Sequence, residues 1–198
     1  MSHGFIRGKA DHTLFIKRED GELIVAQVYI NDIIFRSTKD ELAHSFSKLM
    51  QAEFEMSMIG ELTHFLGLQI RQQYLGIFLS QSKYAKNLVK KFSLESASFV
   101  RTPMSPNVKL TIDLLGKSVD SSLYRSMISS FLYLTTSRAD ISYSVGVCAR
   151  YQANPKESHM TALKRIIKYV KRLKTTADFG LWYSMDINDV LVGYFDAN

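Results

Sequence analysis

Residues 28–35, VYINDIIF, place two apolar runs rich in β-branched side chains on either side of a polar Asn31-Asp32 pair. Strand-forming runs around two residues that tolerate a positive φ are typical of a β-hairpin, and we predict a tight turn at Asn31-Asp32. Such a turn would hold the Asp32 carboxylate at the tip of a rigid ribbon, where it could meet a metal ion or a phosphate. On the octapeptide alone, ordinary turn chemistry is the simpler explanation, and the rest of the chain has to decide.

The composition indicates an intracellular protein with one sizeable core, or one domain and a smaller partner. The chain has 198 residues, 46% of them hydrophobic, and a net charge of +6. Its single cysteine, Cys148, cannot form an internal disulfide and is expected to be a buried thiol, which fits a reducing cytoplasmic or nuclear compartment. No apolar run is long enough to span a bilayer, and the N-terminus lacks the pattern of a secretory signal. A basic balance favours polyanionic partners where the charge is clustered.

The first third of the chain is predicted to be rich in strands. Strands over 12–36 turn at Asp20-Gly21, and a helix begins at a capping box, Thr38–Glu41. Alternation predicts a strand over 54–58, and two further runs, 65–70 and 76–79, predict a second hairpin. Gly67 would lie inside a strand, where a glycine indicates either a bulge or the close approach of a nucleic-acid strand.

Helical periodicity begins at Gln81. Helices are predicted over 81–92, over 120–152 with an interruption at 137–140, and from Pro155 to Lys174 with Asn154 as the N-cap. The proline-containing loop 101–106 is the best candidate boundary. Lysines and arginines cluster on the outer faces of the first and last helices. Trp182 is assigned to the core or its rim, and further strands are expected over 180–183 and 190–196.

The motifs of this chain, taken in order, resemble the Pol polyprotein of copia-type LTR retrotransposons. Tyr29–Asp32 resembles the Tyr-x-Asp-Asp hairpin of reverse transcriptases. The other matching stretches are Phe35–Thr38, Phe65–Ile70, Leu79–Tyr84, Thr102–Met104, Tyr133–Thr135, Arg138–Ile141, Asn154-Pro155, Lys164–Ile166 and Gly193–Ala197. The resemblance extends over nearly the whole chain.

This resemblance implies templated nucleotidyl transfer through two divalent ions, Mg²⁺ or Mn²⁺, held by palm carboxylates. Asp32 would be the catalytic metal ligand. The chain departs from the family at Asn31, which stands where the family has an Asp, and an upstream strand with a further carboxylate is expected to precede residue 1. Arg36 replaces a small residue; it is either a surface arginine or a side chain that crowds the primer end.

The resemblance also implies contacts with a primer-template or RNA–DNA hybrid. Phe65, Leu66 and Gly67 resemble a primer grip, and two basic helices would face the phosphate backbone. The alternative for both helices is an ordinary solvated face. The basic residues concerned are Lys83, Lys86, Lys90, Lys164, Arg165, Lys168, Lys171 and Arg172. Asp196 matches the first metal-binding carboxylate of the family's RNase H domain, whose later elements are missing, so no RNase H activity is expected.

The predicted fold class is therefore α+β, a partial reverse-transcriptase palm of antiparallel hairpins followed by a helical thumb and connection. The predicted division is a partial palm over 1–80, a thumb-like helix and loop over 81–113, a helical connection over 114–188 and an RNase H strand over 189–198. Three hypotheses follow: a catalytically impaired polymerase fragment, a nucleic-acid-binding module without chemistry, and a decayed element with no selected function.

Overall fold

A computed structural model of the chain describes residues 3–105, 109–171 and 179–185. Within these residues the fold is α+β, as predicted, with two four-stranded antiparallel sheets and five α-helices. The chain divides between Leu62 and Thr63 into two compact units, which we call the N-terminal and C-terminal units. The finer division at 80, 113 and 188 stays a prediction. No helix of the described ranges is long and apolar enough to cross a membrane.

The N-terminal unit is one sheet with one helix on its inner face. Its four strands pair with their neighbours in chain order, and the predicted turn at Asp20-Gly21 is confirmed, with φ values of 51° and 81°. Ile24 and Ala26 of the sheet and Phe46 of the helix form the buried core. The elements are β1 (Ile6–Arg7), β2 (Leu14–Glu19), β3 (Glu22–Tyr29), β4 (Asp32–Ser37) and α1 (Asp40–Glu53).

Two local predictions in this unit are wrong. Helix α1 begins at Asp40 with Lys39 as its N-cap, and Thr38 does not cap it. The Thr38 hydroxyl instead donates to a Glu22 carboxylate oxygen (2.5 Å) and accepts from the Leu23 N–H (3.0 Å), because strand pairing brings β3 beside it. Residues 54–58 form no strand. They pair with no strand of the described sheet, and the side chains of Met56 and Met58 line a small pocket with Phe35 of β4.

The C-terminal unit combines the second sheet with a helical body. The four strands of this sheet pair with their neighbours in chain order, and the interruption predicted within 120–152 is confirmed by a short 3₁₀ helix, Ala139–Ile141. Asp120 caps the helix Ser121–Leu134 by accepting from the N–H groups of Ser122 and Leu123. The elements are β5 (His64–Phe65), β6 (Leu68–Gln73), β7 (Gly76–Ser80), α2 (Ser82–Lys91), α3 (Ser121–Leu134), α4 (Ser142–Ala149), α5 (Glu157–Val170) and β8 (Gly180–Ser184).

The core of this unit lies between α2, α3, α4 and α5, and it buries Tyr124, Phe131 and Leu163 completely. Cys148 is buried there, as predicted, and burial raises the pKa of its thiol to about 12.

The predicted cap of α5 is wrong, because Lys156 is the N-cap and Pro155 precedes it. The fully buried His159 fixes this start by accepting from the Lys156 N–H (3.0 Å).

Candidate functional site

The hairpin of β3 and β4 turns one residue earlier than predicted. Tyr29 pairs directly with Asp32, so Ile30 and Asn31 are the two turn residues. Ile30 has a φ of 52°. A positive φ at the first turn position alone is the pattern of a type II′ turn, which normally places glycine there. A β-branched residue in this conformation is strained, and Ile30 is also 81% exposed.

Asp32 lies at the start of β4 with its side chain on the outer face of the sheet, opposite α1. Because side chains alternate along a strand, Arg36 shares this face, as does Tyr29 directly across from Asp32. Gln27 lies on the same face and donates to an oxygen of Asp11 (3.1 Å). Hydrogen bonds from Thr13 lower the pKa of the exposed Asp11 carboxyl.

The donor set of the hairpin does not fit a two-metal centre. Among the described residues, no three His, Cys, Asp or Glu side chains lie together as a metal-binding group. Asp32 supplies one carboxylate, and the neighbouring Asn31 supplies a neutral amide, which cannot offset the charge of two divalent ions. The roles predicted for Asp32 and Asn31 therefore stay predictions.

An apolar cavity of about 510 Å³ opens beneath the hairpin, between the inner face of the sheet and α1. Phe15, Val28 and Ile33 line it from the sheet, and Met50 lines it from the helix. Asn31 borders the same cavity. Helix α1 therefore covers only part of the inner face, and the part nearest the hairpin tip stays open.

The second hairpin tip, Leu66-Gly67, is a two-residue turn and not part of a strand. Phe65 pairs with Leu68, and both turn residues have a positive φ, 48° and 77°, which is the pattern of a type I′ turn. The Tyr133 hydroxyl of α3 donates to the Leu66 carbonyl. A Cβ on Gly67 would lie 2.6 Å from the Tyr133 oxygen. The close approach that explains the glycine thus comes from this tyrosine.

A polar network fixes this tip to the helical body. Gln81 is 1% exposed; its side-chain N–H donates to the Tyr133 carbonyl (3.2 Å), and its oxygen accepts from the Ser137 hydroxyl (2.8 Å). The ring of Tyr84 packs edge-on against Tyr133 with centroids 4.9 Å apart. Sequence reasoning assigned no role to Gln81 or Tyr133. The signal available in the sequence was Gln81 itself, a polar residue at a position that belongs to the otherwise apolar stripe of α2.

Helix α2 presents its lysines as predicted. Ala85, Leu88 and Val89 are buried, and the opposite side carries three exposed lysines at positions i, i+3 and i+7, which form one stripe about 10 Å long. We call Lys83, Lys86 and Lys90 the α2 lysine stripe. Gln69 of β6 accepts from the Lys83 N–H (2.8 Å), so the first turn of the helix is tied to the sheet.

The basic side of α5 is largely covered by the segment 95–104. The Lys171 ammonium donates to the carbonyls of Glu95 and Ala97, and Arg165 donates to the Thr102 hydroxyl (3.0 Å). The Lys168 carbonyl accepts from the Val100 N–H (3.4 Å). Of the basic residues predicted on this helix, Lys164 is exposed. Arg172 and Asp196 lie outside the described residues.

A partly buried ion pair lies at the interruption between α3 and α4. Arg138 is 4% exposed and forms a bidentate pair with Asp140, at 2.8 and 2.6 Å. Tyr169 donates to the same carboxylate (2.8 Å). Partial burial raises the pKa of Asp140, but the hydrogen bonds from Arg138 and Tyr169 outweigh it and hold the pKa below its ordinary value.

Comparison with known proteins identifies the family. A family model described as reverse transcriptase (RNA-dependent DNA polymerase) matches residues 1–106. The chain belongs to this reverse transcriptase family. It is 31% identical over its whole length to the Retrovirus-related Pol polyprotein from transposon RE1 of Arabidopsis thaliana, of which it covers 13%.

Two further relatives match most or all of the chain. The chain is 26% identical to the Retrovirus-related Pol polyprotein from transposon TNT 1-94 of Nicotiana tabacum, over 100% of this chain and 15% of that protein. It is 30% identical to the Uncharacterized mitochondrial protein AtMg00810 of Arabidopsis thaliana, over 73% of this chain and 60% of that protein. The predicted copia-type relationship is confirmed, and the chain spans a small part of the Pol polyproteins. No solved structure matches it significantly.

Proposed function

We propose that this reverse transcriptase-like chain is a primer-template-binding part of a copia-type Pol protein, and that it does not catalyse nucleotidyl transfer by itself. The observation that carries the proposal is the α2 lysine stripe, which is exposed and tied to the same sheet as the Leu66-Gly67 tip. Lysines spaced along one helix face bind phosphates without reading sequence. The partner would be an RNA–DNA hybrid or primer-template.

The structure changes which helix supports this proposal. Sequence analysis favoured both basic helices, but Lys171 and Arg165 of α5 are engaged by the segment 95–104. Lys83, Lys86 and Lys90 remain exposed on α2. We therefore assign the main phosphate contacts to α2, with Lys164 as the contribution from α5.

The proposed lack of independent catalysis rests on the ligands around Asp32. Family members use divalent ions in general, yet no three His, Cys, Asp or Glu side chains of the described residues come together as a metal-binding group, and the neighbour of Asp32 at the tip is the neutral Asn31. Asn31→Asp would add one carboxylate beside Asp32, and the family resemblance implies a further carboxylate from a second strand, which this substitution does not supply. Primer extension on poly-rA/oligo-dT with Mg²⁺ or Mn²⁺ should therefore give no product with either chain. Synthesis by the unaltered chain would contradict the proposal.

Binding is tested with fluorescein-labelled RNA–DNA hybrid in a salt series. Replacing the α2 lysine stripe by glutamine (Lys83→Gln, Lys86→Gln, Lys90→Gln) should reduce the slope of log K against log salt by about 2–3, because each lost phosphate contact removes about 0.9. The matched control replaces exposed lysines elsewhere, Lys9, Lys48 and Lys109, and carries the same net charge. Equal weakening by both triple variants, or binding that is insensitive to salt, would refute the assignment to α2.

A further inference from the structure

Three side chains from neighbouring strands line up across one face of the second sheet. Strand pairing places Arg71 of β6 opposite Phe78 of β7, and Phe78 opposite Trp182 of β8. The Arg71 guanidinium carbon lies 4.9 Å from the centre of the Phe78 ring, which is a cation–π contact. Arg71 is exposed and Trp182 is 46% exposed, so Trp182 is not a core residue.

Two glycines allow both rings to lie close over the sheet. A Cβ on Gly76 would stand 2.7 Å from a Trp182 ring carbon, and a Cβ on Gly180 would stand 2.7 Å from a Phe78 ring carbon. A Cβ at these positions would meet a backbone carbonyl oxygen of the neighbouring strand even sooner, that of Tyr183 at Gly76 and that of Leu79 at Gly180, so the close strand pairing as well as the rings requires glycine. The face therefore presents low-lying aromatic surface that begins at Trp182 and continues to the guanidinium on Phe78.

The charge around this face suits a polyanion. The three strands 68–73, 76–80 and 180–184 contain no acidic residue, and Arg71 carries their charge. Gln69, on the same face as Arg71, accepts from the Lys83 N–H, so the first lysine of the α2 lysine stripe begins beside it. Stacking surface and phosphate contacts are thus adjacent.

We propose that the face carrying Arg71, Phe78 and Trp182 is a base-stacking site for single-stranded nucleic acid. Proteins that bind single strands without sequence preference combine a basic track for the backbone with aromatic side chains on which bases stack. Trp182 offers the indole face, and the Arg71 guanidinium, which makes a cation–π contact with Phe78, adds a positive charge to the same face. The inference rests on the proposed function only in that both place nucleic acid against the C-terminal unit.

The chain contains its own reporter, since Trp182 is its only tryptophan. Emission is followed while the full chain is titrated with short oligo-dT, and in parallel with an abasic deoxyribose-phosphate oligomer of the same length. We expect oligo-dT to quench Trp182 and the abasic oligomer, which has the phosphates without bases, to leave the emission unchanged. Acrylamide should reach the indole in the free chain. Protection of Trp182 in the free chain would show that protein covers this face and would overturn the proposal.

Variants separate stacking from electrostatics. Trp182→Ala should weaken binding of labelled oligo-dT on the order of tenfold, and Trp182→Phe should restore most of it. Tyr183→Ala is the matched control, because Tyr183 neighbours Trp182, is similarly exposed at 50% and points to the opposite face. Arg71→Gln should weaken both binding and quenching.

The outcomes distinguish the two proposals. Binding of oligo-dT by anisotropy without quenching, or equal effects of Trp182→Ala and Tyr183→Ala, would refute the stacking site and leave the proposed function standing. Failure of both oligo-dT and the RNA–DNA hybrid to bind at low salt would refute the proposed function and the stacking site together.

Discussion

The two compact units differ in how fully they enclose their apolar side chains. In the described part of the N-terminal unit, three apolar residues are buried, Ile24, Ala26 and Phe46, beside an open cavity. In the C-terminal unit, sixteen described residues form one buried cluster. The tip that carries Asp32 therefore projects from a partly covered sheet, and the Leu66-Gly67 tip is fastened by Tyr133 to a packed helical body. The proposed nucleic-acid contacts fall on the unit with the larger buried core.

The largest expected effect contrasts the two cores. Phe131→Ala should lower the free energy of unfolding of the C-terminal unit by about 4 kcal/mol, because the fully buried ring leaves a cavity. Phe46→Ala should cost the N-terminal unit about 2 kcal/mol, because Phe46 already borders open space. Urea unfolding followed by Trp182 emission reports on the C-terminal unit, so Phe131→Ala should shift its midpoint and Phe46→Ala should not. Equal shifts would show that the units unfold together.

The next prediction contrasts the ion pairs of the units. Asp140→Asn should lower the free energy of unfolding of the C-terminal unit by about 3 kcal/mol at neutral pH, because it leaves the buried Arg138 without its counter-charge. Glu19→Gln, which removes the solvent-exposed pair with Lys17, should cost less than about 1 kcal/mol.

The pH dependence follows from the lowered pKa of Asp140. A carboxylate with a lowered pKa stabilises the fold fully above its unfolded value, 3.8, and loses this contribution as pH falls through the lower folded value. The difference in the free energy of unfolding between the original chain and Asp140→Asn, measured by urea unfolding, should thus shrink below about pH 4. A difference that is constant with pH would exclude the ion pair as its source.

A smaller effect is expected at the anchored tip. Gly67→Ala should lower the free energy of unfolding by about 2 kcal/mol. A positive φ is unfavourable for alanine, and its Cβ would displace the Tyr133 hydroxyl from the Leu66 carbonyl. Gly146→Ala is the control: this glycine lies in α4 with open space at its Cβ position, and alanine there should stabilise by about 0.5–1 kcal/mol. Urea unfolding of both variants provides the comparison. A Gly67→Ala chain as stable as the original would contradict the close packing of Tyr133.

Local patterns in the sequence predicted much of the fold. The Asp20-Gly21 turn, the interruption between α3 and α4 and the apolar stripe of α2 depend on residues near one another in the chain, and all three are confirmed. The turn at Asn31-Asp32 was misplaced for a physical reason. Moving the turn by one residue shifts the pairing partner by two, which keeps every side chain on its own face, so alternation cannot separate the two registers.

The features of the candidate site that were missed depend on distant parts of the chain. Tyr133 meets Leu66 across 67 residues, and Lys171 meets Ala97 across 74. Helical periodicity identified the outer side of α5, but it carries no information about the segment that covers that side. Burial of Gln81 likewise depends on helices far along the chain.

The smallest expected effect concerns the strained Asp32 tip. Ile30→Asn should stabilise the N-terminal unit by about 1 kcal/mol, because asparagine tolerates the positive φ that Ile30 adopts and little apolar burial is lost at an 81% exposed position. Hydrogen exchange of β3 and β4 should slow accordingly. Ile6→Asn is the control, since Ile6 is 74% exposed in β1 and does not have a positive φ.

The direction of this effect decides what holds the tip. A loss of stability in Ile30→Asn would mean that the contacts of Ile30 at the cavity rim outweigh the backbone strain. A gain in stability would mean that the backbone next to Asp32 keeps a strained conformation that the contacts of Ile30 do not compensate. Backbone strain of this kind is concentrated at ligand-binding and catalytic positions in proteins. A gain would therefore point to a functional constraint on the conformation of the tip, independently of whether Asp32 binds a metal ion.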